Sequence, residues 1–93
     1  MYAIICFDHA DSAPLRDKHR GAHQDFLQKN ATKIVYGGPL KNVSDGPSTG
    51  ALIVVDCATQ EEAEAFIAAD PFKRGGVYES VTVRAFKKVF PQG

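Results

Sequence analysis

Two short runs of continuous apolar sequence constrain the fold of this chain most strongly. The segments YAIICFD (residues 2–8) and GALIVVDC (residues 50–57) have the length and β-rich composition of strands. Successive side chains of a strand point to opposite faces, so Ala3, Ile5 and Phe7 share one face and their neighbours share the other. Both faces are apolar, which predicts two central strands of a sheet that is covered on both sides.

The remaining segments complete a recognisable order of elements. KIVYGGPL (33–40) is predicted as a strand that ends at its Gly-Gly-Pro sequence, and VYESVTVRAFKKVF (77–90) as an alternating last strand. Apolar residues follow helical spacing over residues 14–30 and again over 59–70. The order β-α-β-β-α-β predicts one α+β domain over residues 1–93, a ferredoxin-like plait with strand order 4-1-3-2.

Local signals mark the two helices. Ser12 is a candidate N-cap ahead of Pro14 in the first helical turn, and Thr59 to Glu62 fit a capping box that starts the second helix. Gly21 lies inside the first helix, where glycine costs roughly 1 kcal/mol relative to alanine. We therefore expect Gly21 to permit a close approach by another element.

The sheet of this plait has one face that its own helices cannot cover. Both helices of the plait pack on the same side, yet the central strands are apolar on both sides. An exposed hydrophobic sheet face needs a second layer, and another copy of the same sheet is the simplest one. The sequence therefore predicts a homodimer.

Composition and charge exclude several classes of function. Among 93 residues, eleven basic and eleven acidic side chains cancel, so the clustered basic surface of a nucleic-acid-binding protein is not expected. The start of the chain lacks a basic region and a long apolar run, so neither a signal peptide nor a membrane span is expected. Two cysteines make no disulfide framework and no zinc-site spacing. We expect a cytoplasmic protein with reduced thiols, no metal and no cofactor.

One aspartate lies at an unusual position for a carboxylate. Ala63, Phe66 and Ile67 form the apolar face of the second helix, and Asp70 is the next position on that face. It also lies at the helix C-terminus, where the backbone dipole disfavours negative charge. Pro71 then stops the helix, so Asp70 could simply be the N-cap of another short helical turn.

A buried carboxylate also needs a donor or cation as a partner. In the first helix, Arg16, Arg20, His23 and Leu27 fall along one stripe, and His23 borders the buried face. His23 is therefore the best candidate to contact Asp70, with Arg20 or Arg16 next. A plain hydrogen-bonded boundary histidine and two solvated arginines are the alternative interpretation.

A His–Asp pair would have defined chemistry. The carboxylate orients the imidazole and stabilises its protonated form, so the other ring nitrogen becomes a better general base. Flanking arginines favour an anionic substrate or intermediate. The Gly-Gly-Pro sequence at residues 37–39 lacks the features of a phosphate-binding loop, and we expect it to leave room beside the site.

The chain resembles the YCII-related family over nearly its whole length. The resemblance rests on Arg20-Gly-Ala-His23, on Gly38-Pro39-Leu40, on Glu61-Glu62-Ala63 and on Asp70-Pro71-Phe72. It implies a dimeric α/β barrel, the fold shared with muconolactone isomerase and small cofactor-free monooxygenases. It further implies a catalytic pair, His23 and Asp70, and we expect substrate contacts from Arg16, Arg20, Gly38, Pro39 and Phe72.

Two classes of function remain open at this point. The first is a small cofactor-independent enzyme of lyase or isomerase type, in which His23 moves a proton on a small anionic or phenolic substrate. The second is a non-catalytic ligand-binding or assembly module, in which His23 and Asp70 only lock two helices together. A monooxygenase of this fold lacks a supporting motif, and an RNA-recognition plait lacks the aromatic and basic pattern of such domains.

Overall fold

The chain folds as a four-stranded antiparallel sheet with three helices, in a computed structural model that describes residues 1–92. The elements in chain order are β1 (Tyr2–Asp8), α1 (Ala13–Lys29), β2 (Ile34–Lys41), β3 (Ser48–Val55), α2 (Gln60–Ala68), α3 (Pro71–Arg74) and β4 (Tyr78–Ala85). The strand order is β2-β3-β1-β4, which confirms the α+β class and the predicted order. The four-residue helix α3 is the short helical turn that the sequence offered as an alternative after Asp70.

The helices cover one face of the sheet, and the core lies between them. On that face Ile4 of β1 pairs with Ile53 of β3 and with Val83 of β4. The fully buried Ala63 and the 3% exposed Ile67 place the apolar side of α2 in the same core cluster. The apolar spacing of α2 and the alternation of β1 therefore meet in one layer of buried side chains.

The opposite face, which we call the open face, carries apolar side chains without a covering element. Ala3, Ile5 and Phe7 of β1 share this face, and Ile5 lies beside Leu52. Phe7 is 53% exposed, and Tyr36, which pairs with Val54 on the same face, is 52% exposed. The open face matches the surface that the sequence assigned to a second copy, and the dimer itself stays a prediction.

The helix starts differ in part from the predicted caps. The Ser12 side chain makes no cap hydrogen bond to α1, and its hydroxyl instead donates to Asp8 Oδ2 at 3.3 Å. Ser12 therefore occupies the predicted N-cap position, but its side chain does not cap the helix. At α2, Thr59 Oγ1 accepts from the Glu62 N–H at 3.2 Å, as predicted. The Ala58 N–H donates to Glu62 Oε2, whereas in a capping box the donor would be the N–H of the N-cap residue, one position later.

Two predictions about glycines are wrong. No atom lies within 4 Å of the place where a Cβ on Gly21 would stand, so Gly21 permits no close approach. The strand β2 does not end at its Gly-Gly-Pro sequence, because pairing with β3 continues to Lys41. A proline is tolerated here because β2 is an edge strand, where one side makes no ladder hydrogen bonds.

The last strand and the cysteines complete the comparison. The last strand ends at Ala85 rather than at residue 90. Cys6 and Cys57 are both free thiols. Cys6 pairs with Ala51 near one end of β3, and Cys57 lies two residues beyond Val55 at the other end, so the two thiols lie at opposite ends of this strand.

Candidate active site

His23 and Asp70 are in contact. His23 Nδ1 lies 2.8 Å from Asp70 Oδ1, with the Asp70 side chain fully buried and the His23 side chain 14% exposed. The contact joins α1 to the junction between α2 and α3. Because a carboxylate oxygen accepts, the pair assigns the N–H to Nδ1 of His23 and leaves Nε2 for other chemistry.

The same carboxylate also starts a helix. Asp70 is the N-cap of α3, and its Oδ1 accepts from the Phe72 N–H at 2.9 Å, with Pro71 in the first turn. Both interpretations of the unusual aspartate therefore hold, and one oxygen atom serves both. The backbone of α3 fixes this oxygen and thereby fixes the orientation of His23.

Aromatic packing holds the imidazole from a second direction. The rings of His23 and Phe72 stack with centroids 3.9 Å apart and an interplanar angle of 10°. Tyr78 meets Phe72 edge-on, with centroids 6.2 Å apart. Because the hydrogen bond sets one axis of the imidazole and the stack sets its plane, the ring of His23 has a defined orientation.

Arg16 is built into the site rather than solvated. Its Nε and Nη2 donate to the two carboxylate oxygens of Asp8 at 2.6 and 3.0 Å, and Nη2 also donates to the Gly50 carbonyl at 3.0 Å. Its Cζ lies 4.9 Å from the Phe72 ring centroid. Burial opposes the charge of Arg16, but hydrogen bonds and charge from Asp8 outweigh it, so the pKa of the guanidinium is raised.

Arg20 has a different environment. Its Nη1 donates to Asp17 Oδ1 at 2.7 Å on the surface of α1, and its side chain is 52% exposed. Of the three candidate partners of Asp70, His23 is the one in hydrogen-bond contact with it. Asp8, the carboxylate that pairs with Arg16, was missed from sequence, although it ends β1 on the same face as Ile4 and Cys6.

A cavity of about 400 Å³ lies between α1 and the strands β2 and β3, beside His23. The predicted site residues that line it are Arg16, Arg20, His23, Gly38, Pro39 and Phe72. Asp70 lies behind His23 and outside the lining. Gly38 pairs with Leu52 of the open face, so the free space around a Cβ placed on Gly38 lies on that face rather than in the cavity. The grouping of these residues agrees with the prediction, and their roles stay predictions.

Two buried oxygen atoms in this region have no hydrogen-bond partner among residues 1–92. They are Oδ2 of Asp70 and the hydroxyl of Tyr78. Burial, and then the charge of Asp70, raise the pKa of the Tyr78 hydroxyl, so it keeps its proton at neutral pH. Tyr78 also lines the cavity. Sequence reasoning missed it, because a tyrosine in a strand gives no signal beyond core packing.

Residues 1–92 offer neither a metal-binding cluster nor a membrane-spanning helix. That part of the chain has no cluster of three or more His, Cys, Asp or Glu residues that could hold a metal ion. It also has no helix that is both long and apolar enough to cross a membrane.

These features define a class of small ferredoxin-like α+β domains in which a buried His–Asp pair borders a cavity. The model of the YCII-related domain matches residues 1–87, and the chain belongs to this family. The chain is 37% identical over 97 aligned residues to the protein YciI of Escherichia coli O6:H1, covering 97% of this chain and 99% of that protein. It is 36% identical over 81 residues to an uncharacterized protein of Haemophilus influenzae, covering 82% and 81%.

A solved structure shares the fold at similar length. The 5-chloro-2-hydroxyhydroquinone dehydrochlorinase TftG of Burkholderia phenoliruptrix AC1100, in complex with 2,5-dihydroxybenzoquinone, superposes with a TM-score of 0.84. The two sequences are 26% identical, and the superposition covers 94% of each chain.

Proposed function

We propose that this protein is a cofactor-independent enzyme of lyase or isomerase type, acting on a small anionic or phenolic molecule. One observation carries the proposal. His23 contacts the buried Asp70 through one ring nitrogen and borders a cavity of about 400 Å³, which is large enough for a small aromatic ligand.

In the proposed reaction, Nε2 of His23 takes a proton from the substrate. The electron pair that the departing proton leaves on the substrate atom forms a new double bond within the substrate. A leaving group then departs with its own bonding pair, or a proton returns at another carbon, which gives an elimination or an isomerisation. Asp70 keeps the imidazole oriented and stabilises its positive charge while it holds the proton.

Two arginines on the cavity wall suit a substrate that carries or develops negative charge. Nη1 of Arg16 takes part in none of the three bonds that fix this side chain, so it is the nitrogen left for a ligand. The exposed Arg20 lines the same cavity and would attract an anion from solution. We assign oxyanion stabilisation to Arg16 and a weaker, steering role to Arg20.

The structural neighbour supports a substrate class. TftG is named for elimination of chloride from a chlorinated hydroxyhydroquinone, and its structure holds a dihydroxybenzoquinone. Removal of a proton next to a developing oxyanion is the kind of step that a His–Asp pair with a nearby arginine would perform. Hydroxylated aromatic or quinoid compounds are therefore the first substrates to test.

The test is turnover of 5-chloro-2-hydroxyhydroquinone, followed by chloride release, in the wild type and two histidine variants. We expect His23→Ala to lower kcat about 100-fold or more, which is typical for loss of a general base. His9→Ala is the matched control, because His9 is exposed in the turn after β1, and it should keep wild-type turnover. Equal turnover in His23→Ala and the wild type would contradict the assignment.

A non-catalytic module is the second candidate, and the cap made by Asp70 favours it. In that case His23 and Asp70 would contribute to folding alone. Asp70→Asn retains an oxygen that can cap α3 but loses the charge that supports a protonated His23. For an enzyme, this variant should keep most of its stability and lose turnover. A stable wild type whose melting temperature responds to no hydroxylated aromatic ligand favours the module.

We also propose a homodimer in the cytoplasm. Support for the dimer comes from the open face, where Phe7 and Tyr36 are each about half exposed. Support for a reducing compartment comes from the composition, in which two cysteines make no disulfide framework, and both are free thiols.

A further inference from the structure

We infer that the Tyr78 hydroxyl is a ligand-binding group of the cavity, donating a hydrogen bond to an oxygen of the bound molecule beside Arg16. This assignment rests on the proposed function and adds a second oxygen-binding group to it. The ligand class that it selects is a molecule with an anionic or carbonyl oxygen on a small ring.

The state of the Tyr78 hydroxyl is the first observation. Buried tyrosine hydroxyls usually find a partner, because an unpaired buried polar group costs free energy. Tyr78 is 5% exposed, and its hydroxyl has no hydrogen-bond partner among residues 1–92. A hydroxyl left in this state can donate to an acceptor that another molecule supplies.

The position of Tyr78 is the second observation. It is the first residue of β4, pairs with Asp8 at the end of β1, and lines the same cavity as His23 and Arg16. Its ring packs edge-on against Phe72, which fixes the ring plane and leaves the hydroxyl direction constrained. The hydroxyl is shielded from bulk water, so contact needs a small side-chain adjustment of the kind common on ligand binding.

The charges around Tyr78 fit this role. The guanidinium of Arg16 interacts electrostatically with Tyr78, and Asp8 holds Arg16 in place by two hydrogen bonds. Since Tyr78 keeps its proton at neutral pH, it acts as a donor and never as a competing anion. Two donors, one charged and one neutral, would then bind one oxygen of the ligand while His23 acts on another part of the ring.

The experiment measures the Kd of 2,5-dihydroxybenzoquinone by calorimetry in the wild type, Tyr78→Phe and Tyr36→Phe. Tyr78→Phe removes the hydroxyl alone, and we expect Kd to rise about 10- to 100-fold, as for a lost hydrogen bond to an anionic ligand. Tyr36→Phe is the matched control on the open face, outside the cavity, and should bind as the wild type does.

A urea unfolding midpoint for each variant separates binding from folding. Because the hydroxyl makes no hydrogen bond within residues 1–92, Tyr78→Phe should unfold at the wild-type midpoint or above it. A weaker Kd together with a lower midpoint would assign Tyr78 to folding and overturn the inference.

The remaining outcomes distinguish this inference from the function on which it rests. If the wild type binds the probe and Tyr78→Phe binds it equally well, the Tyr78 assignment is wrong and the proposed function stands. If the wild type does not bind the probe, the quinoid ligand class is wrong, and the Tyr78 assignment is overturned with it.

Discussion

Cys6 is fully buried on the helix-covered face of β1, close enough to Asp70 for that charge to act on its thiol. Burial, and then the negative charges of Asp70 and Asp8, raise the pKa of its thiol to about 12. Cys57 is half-buried at the far end of β3 and is more accessible. The thiolate is the reactive form of cysteine, so the two residues should differ sharply in chemical reactivity.

We predict that unfolding free energy falls with rising pH above 9.0, the ordinary pKa of a thiol, because of Cys6. Above that pH the unfolded chain loses the Cys6 proton while the native chain keeps it up to about pH 12. The native state then binds more protons than the unfolded state, so stability falls, by about 1.4 kcal/mol per pH unit for one such group.

Urea unfolding of the wild type, Cys6→Ala and Cys57→Ala between pH 8 and 10.5 checks this prediction. Cys6→Ala should show a shallower loss of stability with pH than the wild type, whereas Cys57→Ala should keep most of the wild-type slope. Identical slopes in the wild type and Cys6→Ala would mean that another group, such as Tyr78, causes the loss.

Which single residues could be predicted from sequence follows from how local their signals are. Asp70 was found because its helical register and Pro71 conflict with its charge, and His23 because it shares a face with the core. The contact of Arg16 with Asp8 was missed because the two lie on different elements and neither conflicts with its own surroundings. Tyr78 was missed for the same reason.

Gly21 in α1 and Gly75 after α3 differ in the space that an added side chain would find. Gly21 is exposed within α1 with open space around it, whereas a Cβ on Gly75 would collide with the His19 ring and lie 2.8 Å from the Pro71 carbonyl oxygen. We predict that Gly21→Ala stabilises the protein by about 0.5–1 kcal/mol through helix propensity. Gly75→Ala should destabilise it by about 1–3 kcal/mol through overpacking.

Chemical unfolding of the two alanine variants against the wild type measures both effects. The two variants are a matched test, because each adds one methyl group, at Gly21 in α1 or at Gly75 after α3. A destabilised Gly21→Ala would show that another element covers α1 at this position in solution. That is the close approach expected from the sequence.

At the scale of elements, the order and pairing of strands could be predicted because hydrophobic alternation and helix spacing are local patterns. The end of β2 could not, because Pro39 is tolerated only on an edge strand, and edge position is a property of the sheet. The helix α3 was predicted only as an alternative, since Asp-Pro also begins simple turns.

For the whole molecule, the open face is the surface through which we predict association. We predict a homodimer whose interface includes Phe7, and Phe7→Glu should convert it to a monomer, because a buried unpaired charge opposes association. Val43→Glu is the matched control, because Val43 is 65% exposed in the connection between β2 and β3.

Light scattering after gel filtration gives the mass of each variant. A monomeric mass for the wild type at micromolar concentration would contradict the dimer, and a dimeric Phe7→Glu would place the interface elsewhere on the chain. Sequence patterning indicated the apolar open face correctly. The contacts of the predicted dimer could not be derived from sequence, because they join two copies of the chain and follow no local pattern.

One oxygen atom of Asp70 both begins α3 and holds His23, and this has a consequence for how such a domain evolves. Under the proposed function, selection for a folded domain and selection for proton transfer act on the same atom. A descendant that no longer used the chemistry would still need a capping oxygen at position 70, which aspartate or asparagine can supply. His23 caps no helix, so its replacement in a duplicated gene is the change that records an abandoned activity.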